Sequence, residues 1–189
     1  MKPIYLTTDT HFNHDKLWQT FKERPENFEM LISQSHKKLP EDCTLIHLGD
    51  VGMGQDTLAH EKWNQATNHV KRKILVRGNH DGKSDSWYYD NGWDFVCSIF
   101  IISLFGERIL FSHIPKENSH YQNTTRNLHG HTHGNTHRDE DVRDIYDTSY
   151  HIEIALEHSD YRPILLTEKL VKLPSPPKPS PLLDGEKSE

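Results

Sequence analysis

Several large classes are excluded by what the sequence has little of. It carries only two cysteines, Cys43 and Cys97. Both lie in or beside apolar runs, so no disulfide framework is implied and a reducing, cytoplasmic compartment fits. There is no surplus of positive charge. The net charge of −6 with neutral histidine argues against a protein that coats DNA and leaves room only for a local basic patch. No apolar run reaches membrane-spanning length, so no membrane partner is expected. The run at the N-terminus, Ile4-Tyr5-Leu6, is too short for a signal peptide. No internal repeat is visible. Hydrophobic residues make up only 33% of the chain, yet they cluster in short runs, which is not the pattern of a disordered chain. The 189 residues suffice for one domain with its own core.

What the sequence has in excess is histidine, with fifteen residues. The densest stretch is Leu128-His129-Gly130-His131-Thr132-His133-Gly134. Side chains of an extended segment alternate faces, which predicts that His129, His131 and His133 point the same way. Flanking glycines let the backbone bend and approach a neighbour closely. Neutral imidazole is the commonest protein ligand of transition metals, although a histidine-rich stretch alone also fits a solvated turn.

Upstream, the chain alternates strand and helix. Ile4 to Thr8 reads as a buried strand ending at Asp9-Thr10-His11. Asn13 to Phe21 reads as a short helix, broken at Arg24-Pro25, and Glu26 to Leu39 as a second helix. Thr44 to Leu48 is a strand ending at Gly49-Asp50. Asp56 is an expected N-cap for a helix running towards His69. Lys73 to Val76 is a strand ending at Arg77-Gly78-Asn79-His80-Asp81.

The second half reads as mostly strand. Phe95 to Leu104 and Arg108 to Phe111 form a hairpin around Phe105-Gly106-Glu107, and Ile114 to Arg126 is a polar surface loop. Tyr150 to Leu156 and Pro163 to Thr167 are further strands. Two packed sheets with helices outside are expected, with active loops at strand ends. One domain spans residues 1–173. Residues 174–189, rich in proline and serine, read as a disordered tail.

Five strand ends carry metal-binding residue types: Asp9 and His11, Asp50, Asn79 with His80, His113, and His131 with His133. Each has an ordinary alternative. Asp50 fits a helix N-cap, Asn79 a turn and His113 a satisfied core histidine. Ligands of open α/β sheets lie beyond the carboxyl ends of the strands, so five such coincidences at one edge point to a site. Mixed nitrogen and oxygen donors suit Mn, Fe, Zn, Co or Ni rather than Ca. A carboxylate has two oxygens with which to bridge two cations, and Asp50 is the candidate. Two cations roughly 3.5–4 Å apart clamp the oxygens of an in-line displacement, which is hydrolysis at phosphorus.

The blocks Asp9-x-His11, Gly49-Asp50, Gly78-Asn79-His80-Asp81, Ser112-His113 and Gly130-His131-x-His133 resemble those of the calcineurin-like metallophosphoesterase superfamily. Thr8-Asp9-Thr10-His11-Phe12-x-His14, Arg24-Pro25, His47-Leu48-Gly49-Asp50 and Tyr161-Arg162-Pro163 resemble its small bacterial and phage phosphoesterases. The resemblance implies a four-layer α/β/β/α sandwich, two mixed sheets flanked by helices. It implies that Asp9, His11, Asp50 and His133 hold a first metal, and Asp50, Asn79, His113 and His131 a second. It makes His80 a non-ligating histidine near the leaving group, with Asp81 as its catalytic-loop neighbour that orients the loop or caps a helix. Manganese is the first choice of metal, with Fe, Zn, Ni or Co as alternatives.

One departure matters. Protein Ser/Thr phosphatases carry Gly-Asp-x-Val-Asp-Arg-Gly in the second block, whereas this chain reads Gly49-Asp50-Val51-Gly52-Met53-Gly54. The arginine that would grip a phosphoprotein is absent. Arg77, His14 and Arg24 are the candidate phosphate contacts in its place. Most of the four tryptophans read as core, while Tyr88 and Tyr89 beside Trp87 are candidates for a substrate-facing wall.

The expected activity is metal-dependent hydrolysis of a small phosphodiester or phosphomonoester, such as a nucleotide or cyclic nucleotide, with His80 protonating the departing oxygen. The alternatives are a nuclease acting on DNA or RNA ends, against which the acidic net charge weighs, and a non-catalytic metal-binding scaffold. A scaffold would be expected to have lost His80 or several ligands, and none is missing here.

Overall fold

The computed structural model describes residues 2–14, 16–21, 24–121, 123–135 and 140–171. The tail expected from residue 174 lies outside these. In chain order the elements are β1 (Ile4–Thr7), α1 (Leu17–Thr20), α2 (Phe28–His36), β2 (Thr44–His47), α3 (Asp56–Thr67), β3 (Arg72–Val76), α4 (Asp85–Asp90) and β4 (Phe95–Cys97). There follow β5 (Ile99–Leu104), β6 (Glu107–Ser112), β7 (Arg126–His129), α5 (Glu140–Ile145), β8 (His151–Glu153), β9 (Ile164–Leu165) and α6 (Leu166–Val171). Short 3-10 turns span Asn118–Tyr121 and Leu156–His158. No helix among the described residues is long and apolar enough to cross a membrane.

The first sheet runs β4-β3-β2-β1-β9, with β1 to β4 parallel and β9 antiparallel. The second runs β5-β6-β7-β8, with β5 and β6 antiparallel and the others parallel. Strands of the first sheet are apolar on both faces, as parallel strands buried on both sides must be. Tyr5, Leu45 and Leu75 point to a core shared with the helices, where Phe28 and Ile32 of α2 and Ala59 and Trp63 of α3 pack. Leu6, Ile46 and Val76 point the other way, against Ile109, Phe111, Leu128 and Ile152 of the second sheet. Both helices bury residues three or four apart, which is why an amphipathic helix fits this face. Two mixed sheets packed on each other with helices outside are therefore observed.

Several boundaries depart from the sequence expectation. Phe95 to Leu104 is not one strand: the chain leaves the first sheet after Cys97 and enters the second at Ile99. The run is apolar on both sides of Ser98, and a single serine there does not mark the change of partner. The expected Asn13–Phe21 helix is only Leu17–Thr20. Gln55, not Asp56, holds the N-cap position, and Asp56 lies in the first turn, where its charge favours the helix dipole. Pro163 to Thr167 gives two strand residues and then turns into α6. The Tyr150–Leu156 strand stops at Glu153, and Leu156 opens a 3-10 turn. The helices Asp85–Asp90 and Glu140–Ile145 are too short to show a period. Ser84 caps the first of them by accepting the Trp87 N–H at 3.2 Å.

Candidate metal centre

β1, β2 and β3 are parallel and in register, so their carboxyl ends open at one edge. The loops beyond them are tied together. The Asp9 N–H donates to the Gly49 carbonyl at 2.9 Å, His11 to Asp50 at 3.1 Å and Phe12 to Val51 at 2.9 Å. From the second sheet, the Gly130 N–H donates to the His113 carbonyl at 3.0 Å. The His131 N–H then crosses to Asp9 Oδ2 at 2.9 Å. Glycine permits the closest approaches. A Cβ on Gly130 would lie 2.0 Å from Thr8 Oγ1, and one on Gly78 2.1 Å from Asp50 Oδ1.

The backbone turns sharply where it delivers these side chains. Asp9 (φ 47°), His11 (44°), Asp50 (59°), His131 (72°) and His133 (51°) all occupy the left-handed region. Each such residue costs about 1–2 kcal/mol, and strain of this kind gathers at ligand clamps. This also corrects the alternating-face reading of the histidine stretch. β7 ends at His129, and positive φ at His131 and His133 breaks the strand rule. His129 is fully buried on another face, against Tyr146 and His151.

Two groups of donor atoms result. In the first, Nε2 of His11 and Nε2 of His133 face each other at 3.2 Å. Asp9 Oδ1 lies 3.8 Å from the former and 3.7 Å from the latter. In the second, His113 Nε2 faces Asn79 Oδ1 at 2.9 Å, His131 Nδ1 at 3.2 Å and Asp50 Oδ2 at 3.4 Å. Asp50 joins the two groups, because Oδ2 also lies 3.9 Å from His11 Nε2. Its Oδ1 is taken by the His80 N–H at 2.9 Å. One oxygen of Asp50, rather than both, is therefore the shared one. Asp9 also falls in both ligand clusters. However, its Oδ2 is taken by the Thr8 hydroxyl at 2.6 Å and the His131 N–H, which leaves Oδ1 to the first group.

The residues fit a pair of cations. Bonds of about 2.0–2.2 Å to one cation put neighbouring ligand atoms roughly 3.0–3.5 Å apart, close to the spacings here. Asp9 Oδ1 is buried with no hydrogen-bond partner. His113 Nδ1 donates to the Leu48 carbonyl at 2.7 Å, which turns the Nε2 lone pair into the site. A proton on one nitrogen can satisfy one neighbour, but His113 Nε2 has three.

The electrostatics follow. With no cation bound, burial works against charge on His113, but the Asp50 hydrogen bond and the Asp9 and Asp50 charges outweigh it and push the imidazole up to about 9, a proton that a cation at Nε2 would displace. Burial would raise Asp50, yet His113, His11 and the His80 N–H hold it well below the usual carboxylate range. Burial pushes His11 well below the usual imidazole value.

The other predicted site residues are dispersed. His80 lines the cleft with its side chain 35% exposed and Nε2 3.8 Å from Asp50 Oδ2. His14 also lines the cleft, beside His11. Asp81 does not line it. Its carboxylate accepts the N–H groups of Asp50 (2.8 Å), Gly78 (2.8 Å) and Val51 (3.2 Å), which ties the Asp50 and Gly78 loops together. Burial pushes it up to about 6 despite these bonds. Arg77 is turned away, with Nη1 3.3 Å from Asp85 and 3.3 Å from the Lys83 carbonyl. Arg24 is buried behind the site, ion-paired to Glu157 at 2.5 Å. Neither arginine is brought to the cleft as a phosphate contact. Tyr88 is core and Tyr89 is exposed outside the cleft. Phe21, Leu17, Thr20 and Met53 form the cleft wall instead, around about 630 Å³.

Sequence reasoning missed Glu157. Its Oε1 lies 3.0 Å from His133 Nδ1. Burial would raise this carboxyl, but His133 and Arg24 hold it down at about 2. No local pattern marks it, since it sits far along the chain from both partners.

The calcineurin-like phosphoesterase family matches residues 2–176. Among solved structures, the chain is similar to AQ665, a protein of unknown function from Aquifex aeolicus. The two share 28% identity over 89% of this chain and 97% of that one, with a TM-score of 0.68. Weaker likenesses join it to an archaeal phosphodiesterase (18% identity, 81% of this chain and 83% of that, TM-score 0.45). Another is to Vps29 from Entamoeba histolytica (13%, 81% and 73%, TM-score 0.46). No curated protein matches. The Aquifex structure carries the likeness of fold, and the family match spans nearly the whole chain: the protein belongs to the calcineurin-like phosphoesterase family.

Proposed function

We propose that the protein is a metal-dependent phosphohydrolase with a dinuclear centre, acting on a small phosphodiester or phosphomonoester. The observation that carries this reading is Asp50 Oδ2, held between His11 Nε2 at 3.9 Å and His113 Nε2 at 3.4 Å. Asp9, His11 and His133 would hold one cation and Asn79, His113 and His131 the other, with Asp50 common to both. Manganese, or Fe, Zn, Ni or Co, suits the mixed donor set. When bound, such a pair supplies an activated water and neutralises charge developing on phosphoryl oxygens. The chain's own part is positional. The Leu48 carbonyl fixes the His113 tautomer, Asp81 clamps the Asp50 and Gly78 loops, and His80 stands at the cleft to protonate the leaving oxygen.

A cleft of about 630 Å³ suits a small ligand, since pockets for such ligands run from roughly 300 to 1,000 Å³. The test is a panel of phosphodiesters and phosphomonoesters assayed with added Mn²⁺. Turnover abolished by chelator and restored by metal is expected. No turnover on any ester with either Mn²⁺ or Zn²⁺ would sink the reading.

A further inference from the structure

We infer that Glu157 is a positioning residue: it fixes His133 as the Nδ1–H tautomer, so that the Nε2 lone pair faces the first cation. The inference rests on the dinuclear reading above and adds a residue to it.

His133 packs against two rings. The Phe21 ring is tilted against it with centroids 4.3 Å apart, and His11 stacks at 5.1 Å. With the ring so packed, its remaining freedom is which nitrogen carries the proton. Nε2 faces His11 Nε2 and Asp9 Oδ1. Nδ1 faces two groups of opposite demand. Glu157 Oε1, at 3.0 Å, can only accept a proton, whereas Arg24 Nη2, at 3.3 Å, can only donate one. Arginine alone would favour bare Nδ1 and a proton on Nε2, which would block a cation there. The carboxylate is the nearer group and selects the opposite tautomer.

Arg24 holds the carboxylate in place. Its Nη2 and Nε reach Glu157 Oε1 at 2.5 Å and 3.0 Å. Its Nη1 donates to the Asp9 carbonyl at 2.9 Å. The Arg24 side chain is fully buried and that of Glu157 is 4% exposed, so water cannot take over either role. A carboxylate behind a ligating histidine fixes ring and tautomer, and its loss typically costs roughly 10- to 100-fold in metal affinity.

The rival role is a buried ion pair that only holds the fold. Two conservative variants separate the roles, because the roles rank them oppositely. Glu157→Gln keeps an oxygen where Oε1 stands but loses the charge that pairs with Arg24. Glu157→Asp keeps the charge but withdraws the carboxylate by about 1.5 Å, one carbon–carbon bond.

The full-length chain, stripped with chelator, is titrated with Mn²⁺ by calorimetry. The His133 tautomer is read in the metal-free protein from ¹⁵N imidazole shifts. The expected result is an Nδ1–H His133 in the native chain and in Glu157→Gln, with Mn²⁺ affinity in that variant within about tenfold of native. Glu157→Asp should lose the Nδ1–H preference and weaken one of two sites roughly 10- to 100-fold, leaving the other unchanged.

A Glu157→Asp chain with native affinities, a Glu157→Gln chain weaker than Glu157→Asp, or an equal loss at both sites would overturn the assignment. A native chain that binds no Mn²⁺ would defeat the dinuclear reading instead, while the tautomer measurement would still decide the role of Glu157.

Discussion

Replacing His80 with alanine separates chemistry from metal binding. His80 follows Asn79 in the chain, yet it belongs to neither cluster of mutually close ligand atoms, Asp9 with His11 and His133 or Asp9 with Asp50 and His113. Its Nε2 stands 3.8 Å from Asp50 Oδ2, and its side chain is 35% exposed where it lines the cleft. Its backbone N–H hydrogen-bonds into the centre, on Asp50 Oδ1, and alanine keeps that bond. Both cations should therefore remain bound. A positioned general acid contributes roughly 10²–10⁴-fold. A ring one-third exposed leaves room for water to deliver the proton in its place, so the loss should sit at the low end, about 10²-fold or about 2.7 kcal/mol. The loss should appear only where the leaving oxygen needs a proton. The assay is kcat/KM on a p-nitrophenyl ester, whose leaving group departs unaided, and on an alkyl or nucleoside ester, with metal content measured on each variant. The expected result is a small loss on the first ester and about 10²-fold on the second. A lost metal, or equal slowing of both esters, would refute the reasoning and make His80 a ligand or a phosphate binder.

Left-handed backbone at His131 (φ 72°) inverts a usual ranking. Glycine is normally less stabilising than alanine by about 0.4–1 kcal/mol through the unfolded chain, but alanine here costs about 1–2 kcal/mol in strain, so His131→Gly should melt above His131→Ala in chelator. Gly130→Ala would place a Cβ 2.0 Å from Thr8 Oγ1 and 2.6 Å from Asp9 Oδ2. It should cost about 1–3 kcal/mol in urea unfolding and weaken Mn²⁺ binding. His36, fully buried against Thr7 Oγ1 and the Ile32 carbonyl, is pushed by burial down to about 4. The unfolded chain then binds the extra proton between pH 4 and the ordinary imidazole value near 6.5, so stability rises with pH across that window and falls on acidification. The loss is at most about 3 kcal/mol, and His36→Gln should flatten that part of the profile in urea melts at about pH 7.5 and about pH 4.5.

The candidate centre was legible as a cluster because its residues follow strand ends: short apolar runs ending in Asp9, Asp50, Asn79, His113 and His131 mark where strands deliver their loops. Those runs also gave the first sheet, since buried parallel strands are apolar throughout. Contacts made behind the site were not legible. Glu157 and Arg24 meet across most of the chain, and a lone Glu or Arg carries no mark of burial. Arg24 and Arg77 looked like phosphate contacts because free arginines near a catalytic loop often are. The nearby acids Glu157 and Asp85 capture them. The Cys97–Ile99 change of sheet was hidden for a related reason, as an apolar run reads alike whichever sheet it joins.

The central claim is that two cations share Asp50 and that hydrolysis needs both. Chelator-stripped protein titrated with Mn²⁺, with bound metal and hydrolysis of a bis-aryl phosphodiester read at every step, tests it most directly. The account predicts saturation at two equivalents per chain, turnover rising with the second equivalent, and weak binding at both sites in Asp50→Ala. Saturation at one equivalent in excess Mn²⁺, or an Asp50→Ala chain that still fills either site at native affinity, would contradict it.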